Sequence, residues 1–197
     1  MKGKTEYRSL TVQADGNNED SLHVEGYAVV FNEETVLWRS RWSGIEYREV
    51  IESGAIDAAT DMSDVVMYYN HSDVAYILAR TQNNTLQLQV DERGLKISAD
   101  IAPTTCGKDI YQLIKRGDIS KMSFAFSVDK EAEEEDRNAK TSTRRVQHIG
   151  TIVDVSPVDM PAYDGTTIVA RSQTEEIEAL KQAEERLKQE LIVKTYL

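Results

Sequence analysis

The sequence predicts a mostly β protein with flanking helices, and three observations carry that expectation. Short stretches in which apolar and polar residues alternate recur along most of the chain, as on half-buried strands. The clearest runs from Met122 to Val128, where Met122, Phe124, Phe126 and Val128 face one way and Ser123, Ala125 and Ser127 the other. Turn-forming clusters separate the stretches, among them residues 14–20 and Asp91-Glu92-Arg93-Gly94. Helical spacing is confined to a segment before Gly117 and to the last part of the chain.

In chain order, Tyr7 to Val12 alternates weakly and is expected as an edge strand. Leu22 to Phe31 is rich in β-branched and aromatic residues and forms the strongest early strand. Gly26 within it suggests a bulge or a close backbone approach. Residues 32–44 are polar apart from Trp38 and Trp42 and read as a covering loop. Ile45 to Ile51 resumes as a strand, with a turn over 52–54 and the start of a helix near Ala55. Val65 to His71 is an almost continuous apolar strand that ends in a histidine.

Ile77–Arg80, Leu86–Val90 and Leu95–Ile101 supply further strands. The last two flank a hairpin with Gly94 where a positive φ is expected. Ile110, Leu113 and Ile114 then recur at helical spacing, which predicts a helix of about three turns over 105–116, capped by Gly117. Residues 130–143 are charged and poor in apolar side chains, so an exposed loop is expected. Arg144 to Val158 returns as a strand, and Thr166 to Ala170 is a last short one. Beyond Arg171, Ile177, Leu180, Leu187 and Leu191 form the seam of an amphipathic helix. Ser172 or Thr174 is placed to cap it. The expected organisation is one domain over 1–171 and a helix over 172–197, and no internal repeat is present.

Composition narrows the function. The 197 residues are 40% hydrophobic and 29% charged with three prolines, so a packed core is feasible. A net charge of −11, from 23 basic and 34 acidic residues, argues against a nucleic-acid binder, which needs a basic surface. Cys106 is the single cysteine, so no internal disulfide forms and a reducing compartment fits. It is expected as a small buried residue rather than a nucleophile. The first residues lack the apolar core of a signal peptide, and no run approaches the roughly 20 apolar residues of a membrane span. A soluble intracellular protein is expected. There is no metal or cofactor signature.

A serine nucleophile needs a base to take its proton and a third group to hold that base. Ser123 is the candidate nucleophile, although a serine there, taken by itself, is more often a strand residue facing solvent. The base is then His23, His71 or His148, the three histidines of the chain. His71 ends an apolar strand, which favours rigid placement; His23 reads as a surface residue. Asp154 and His148 are candidates for the third member. Asp154 lies amid Ile152, Val153 and Val155, where a carboxylate is costly to bury without a partner.

Six blocks stand in one order: Gly26-Tyr27-Ala28-Val29-Val30-Phe31-Asn32; Glu52-Ser53-Gly54-Ala55-Ile56; Asn70-His71; Leu86 to Asp91 with Gly94-Leu95; Met122-Ser123-Phe124-Ala125-Phe126; and Asp154-Val155-Ser156-Pro157-Val158 with Pro161-Ala162-Tyr163. The ordered set resembles the tailed-phage prohead maturation serine proteases, which are related to the herpesvirus assemblins. The resemblance covers roughly residues 7–170. Two small departures are Ile56 at the end of its block and Ala125 where glycine is common.

The resemblance implies a closed β-barrel ringed by helices, Ser123 as nucleophile and His71 as base. It favours Asp154 as the third member, with His148 as the alternative by analogy with the herpesvirus enzymes. Backbone N–H groups near Ser123, at Phe124, are expected to form the oxyanion hole, with Arg144 or Arg145 assisting. The implied partners are the major capsid protein with its scaffold segment and the enzyme itself, through autocleavage and self-association, inside the procapsid in the host bacterial cytoplasm. No nucleic acid, membrane or cofactor is implied. The rival reading is a non-catalytic scaffold module that binds capsid protein through its C-terminal helix. An esterase or amidase on the same framework ranks lower, because no Gly-x-Ser-x-Gly elbow is present.

Overall fold

The computed structural model describes residues 6–10, 12–14, 22–72 and 77–159. The expected strand over 166–170, the helix over 172–197 and the boundary between 171 and 172 lie outside them. The described residues are mostly β. In chain order the strands are β1 (Glu6–Leu10), β2 (Val12–Ala14), β3 (His23–Val30), β4 (Thr35–Arg39), β5 (Glu46–Ile51), β6 (Val66–Met67), β7 (Ala79–Arg80), β8 (Leu86–Val90) and β9 (Gly94–Asp100). Helix α1 (Thr105–Arg116) follows, then β10 (Lys121–Asp136) and β11 (Thr141–Val158).

The strands form two sheets. One has the order β1-β10-β11-β5-β4, with β6 added to β11 and β7 to β6; the other runs β2-β3-β9-β8. β1 and β4 end the first path, β2 and β8 the second, and no closed barrel is found among the described residues. This departs from the barrel expected by resemblance. The ring of helices is likewise reduced, among the described residues, to α1 and a short 3-10 turn at Thr81–Asn83.

β10 and β11 make the long antiparallel hairpin at the centre of the first sheet, 16 and 18 residues in length. The chain from β5 to the end of β6 runs parallel to β11 along its other edge. Thr141 faces Glu46, Val146 faces Ile51, Thr151 bridges Asp61, and Asp154 faces Val66. One core joins the two sheets, with Val24, Leu95 and Ile97 from the second and Phe124, Phe126 and Val155 from the first. Phe124 and Phe126 stack at 4.4 Å between ring centroids. Burial of each ring contributes about 1.5–3 kcal/mol.

The helix follows its sequence signals. The Thr104 side chain accepts the Gly107 N–H at 3.0 Å, and Ile110 and Ile114 are buried. Lys115 and Arg116 sit where the helix dipole favours cations. Gly117, at φ +88°, closes it with N–H bonds to the Leu113 and Ile114 carbonyls. Cys106 lies in the first turn and is partly exposed, not buried as expected.

Several local expectations give way. Residues 35–39 are a strand, because Trp38 stacks on Tyr47 of β5 at 4.2 Å while Trp42 stands fully in solvent. The chain near Ala55 turns without forming a helix. The charged segment 130–143, exposed only over 130–140, is the end of the β10–β11 hairpin rather than an exposed loop. Gly94 is needed for close approach rather than for positive φ: a Cβ there would collide with the Val29 carbonyl. The irregularity in β3 falls between Tyr27 and Val29, just beyond Gly26.

No helix among the described residues is long and apolar enough to cross a membrane.

Candidate active site

Ser123 lies near the start of β10, between Ser9 of β1 and Ser156 of β11. Met122, Phe124 and Phe126 enter the core on one face of the strand, so Ser123 and Ala125 project from the other. That second face is covered as well: Ser123 is only 5% exposed and Ala125 is buried.

The register determines what Ser123 meets. Residues directly opposed in an antiparallel pair project from the same face. Ser156 is opposite Ser123, and Asp154 is opposite Ala125. Asp154 is therefore the diagonal neighbour of Ser123, about 7–8 Å away between backbones. Asp154 and Ser156 are both buried. The Ser156 hydroxyl donates to Asp154 Oδ1 at 2.5 Å, which leaves Oδ2 to face the next strand over.

His71 comes from that side. Past β6 the chain turns at residues 68–72 instead of continuing as the expected strand, and the Asn70 N–H donates to the Pro157 carbonyl at 3.0 Å. Asn70 and His71 both take left-handed backbone angles, φ +53° and +54°. Asn and His are among the few non-glycine residues enriched in that region. The turn delivers His71 Nδ1 to 3.1 Å from Asp154 Oδ2, with the imidazole mostly buried. Nearby, burial raises the Tyr69 phenol above its ordinary pKa, and the Asp159 carboxylate beside it acts in the same direction.

The other candidates stand elsewhere. The His148 ring lies 3.4 Å from Asp57 and 3.5 Å from Asp129, six residues before Asp154 on β11. Bulged register between the two positions breaks the simple alternation expected from that spacing. The carboxyl of Asp57 is held below its ordinary pKa by the Ala59 N–H and then by His148. His23 pairs with Asp100 at 2.6 Å on the second sheet.

Arg144 and Arg145 are ten and nine residues before Asp154 on β11, about 30 Å away along the strand. Arg144 pairs with Glu49 and Glu131, and Arg145 with Glu134. Both are separated from the Ser123 cluster by length of strand and engaged by carboxylates. The Phe124 backbone pairs with Arg8 on one side and Val155 on the other, and its ring belongs to the core.

The structure thus brings His71 and Asp154 together beside the strand of Ser123. It leaves His148, His23 and the two arginines outside the cluster. Ser156 was not singled out from the sequence, although its place two residues from Asp154 on one strand was the available signal. Among the described residues no group of three or more His, Cys, Asp or Glu side chains is placed to hold a metal ion.

A serine, a histidine and a carboxylate on three adjacent backbone segments form the set needed for acyl transfer. A family model described as caudovirus prohead serine protease matches residues 8–182, and the chain belongs to that family. No curated protein and no solved structure matches the chain.

Proposed function

We propose that this family member is an endopeptidase in which Ser123 is the nucleophile, His71 the base and Asp154 the group that holds it. The observation that carries the assignment is the 3.1 Å contact from His71 Nδ1 to Asp154, one strand away from Ser123. A carboxylate on Nδ1 keeps the proton there and turns Nε2 into the acceptor that a serine hydroxyl requires. The register puts Ser123 and Asp154 on one face of the hairpin as diagonal neighbours, the face that His71 approaches.

In the proposed reaction Ser123 Oγ adds to the scissile carbonyl as His71 takes the hydroxyl proton. The tetrahedral intermediate collapses, the C–N bond breaks, and His71 returns the proton to the departing amine. Water then repeats the sequence on the acyl-serine and restores the enzyme.

For substrate we propose the scaffold segment of the major capsid protein, together with the enzyme's own chain, processed within the procapsid in the bacterial host. Membership of the prohead protease family supports this reading. Self-association of the protease belongs to the same proposal.

Co-expression with the cognate major capsid protein tests it, with intact mass as the readout. Wild type is expected to shorten the capsid protein, and Ser123→Ala to leave it at full length with a rate loss of about 10⁴-fold or more. Equal shortening by both would place the nucleophile elsewhere. Full length with both would remove the substrate assignment.

A further inference from the structure

The turn bearing His71 carries strain that something must hold. Two consecutive non-glycine residues, Asn70 and His71, take the left-handed region, where a Cβ crowds the following carbonyl. Such conformations persist where surrounding contacts over-determine them. Here the contacts converge on Asn70. Its N–H donates to the Pro157 carbonyl at 3.0 Å, and its Oδ1 accepts the Asp159 N–H at 3.2 Å. The Ser72 N–H closes the turn on the Tyr69 carbonyl at 3.1 Å. Pro157 in turn faces Met122, the residue before Ser123.

We infer that Asn70 is a positioning residue for the catalytic base: it latches the left-handed turn to the end of β11 through both its backbone and its side chain, and so sets His71 against Asp154. The inference rests on the reading of His71 as the base. Asparagine suits the role because it tolerates the left-handed region and carries an acceptor. Glycine would supply only the first property, and alanine neither. The role is distinct from packing, since removing the latch displaces the imidazole while leaving the core between the sheets untouched.

The test compares Asn70→Gly and Asn70→Ala with wild type by two readouts. The first is the rate at which a fluorophosphonate probe labels Ser123. The second is the downfield proton resonance of the His71 imidazole N–H bonded to Asp154, assigned by its loss in His71→Ala. Labelling is expected to slow about 10-fold in Asn70→Gly and about 100-fold in Asn70→Ala, the scale of a 1 Å misplacement. The resonance is expected to broaden or vanish in both. Wild-type labelling with an unchanged resonance in Asn70→Gly overturns the latch, whether or not Asn70→Ala folds. If wild type itself does not label, or Ser123→Ala labels equally, the nucleophile assignment fails instead. The resonance then decides the latch alone: loss in Asn70→Gly supports it, and retention overturns it.

Discussion

Near Ser123 the β10–β11 hairpin is buried on both faces, whereas from Glu131 to Lys140 the same hairpin projects into solvent. At the buried end β10 is flanked by β1 as well as β11, and Phe124, Phe126 and Val155 pack into the core. At the exposed end the strands are joined by charge. Arg144 reaches Glu131 and Glu49, and Arg145 reaches Glu134. Four register shifts, between Ala125 and Glu131, lie in the transition. Bulges of this kind add twist and re-aim side chains. One hairpin can therefore hold a rigid, dry cluster at one end and an ionic arm at the other, and substitutions at the two ends should fail in different ways.

The largest effect is expected at the buried end. Asp154→Asn preserves the shape of the side chain but offers an amide where His71 needs a carboxylate, which favours the wrong imidazole tautomer. Turnover is expected to fall about 10⁴-fold, equivalent to roughly 5 kcal/mol of transition-state stabilisation, with the fold retained. Steady-state rates beside a circular-dichroism melt provide the check. Wild-type turnover would break the comparison, because the buried end would then be core and nothing more.

Much of the buried end was legible in the sequence, and little of the exposed end. The alternation of Met122, Phe124 and Phe126 marks β10 because one of its faces must leave water. Glu131 to Asp136 has no such alternation, since neither face enters the core, and its strand is held by pairing with Thr141–Val146. That pairing is a tertiary fact and leaves no period in the local sequence. Residues 65–71 mislead in the opposite direction. Val65 and Met67 are apolar because they are buried, yet β6 spans only Val66–Met67 before the chain turns. At the site, residue type together with the family resemblance pointed to Ser123, His71 and Asp154. The parts of Ser156 and Asn70 depend on cross-strand register and on left-handed backbone, which single-sequence patterns do not encode.

An intermediate effect is expected where the exposed end meets the interior. Glu49 is 1% exposed, and Arg144, its direct neighbour across the β5–β11 pair, reaches it at 3.2 Å. Arg144→Met takes the guanidinium from a buried carboxylate while keeping the aliphatic stem. The expected loss is at most about 3 kcal/mol of stability, because taking a guanidinium from a buried carboxylate is costly. Urea unfolding measures the loss, and turnover per folded molecule should stay at the wild-type level. A fall in turnover without a fall in stability would tie Arg144 to the chemistry despite its distance.

The smallest effect sharpens the comparison most, because it concerns the same kind of bond in a wetter place. Arg145 and Glu134 pair at 2.9 Å with side chains 38% and 65% exposed. Exposed pairs contribute about 0–1 kcal/mol, since water already solvates both charges and the pair orders two long side chains. Glu134→Gln is therefore expected to cost less than about 1 kcal/mol. Whatever cost remains should disappear near 1 M salt, where the screening length shrinks to about 3 Å. The Arg144→Met loss should persist at that salt, because counter-ions do not reach Glu49. Paired urea titrations of the two variants at low and high salt make the comparison. Equal salt sensitivity would show that the arm's ion pairs form one solvated network, and that Glu49 gains no shelter from its burial.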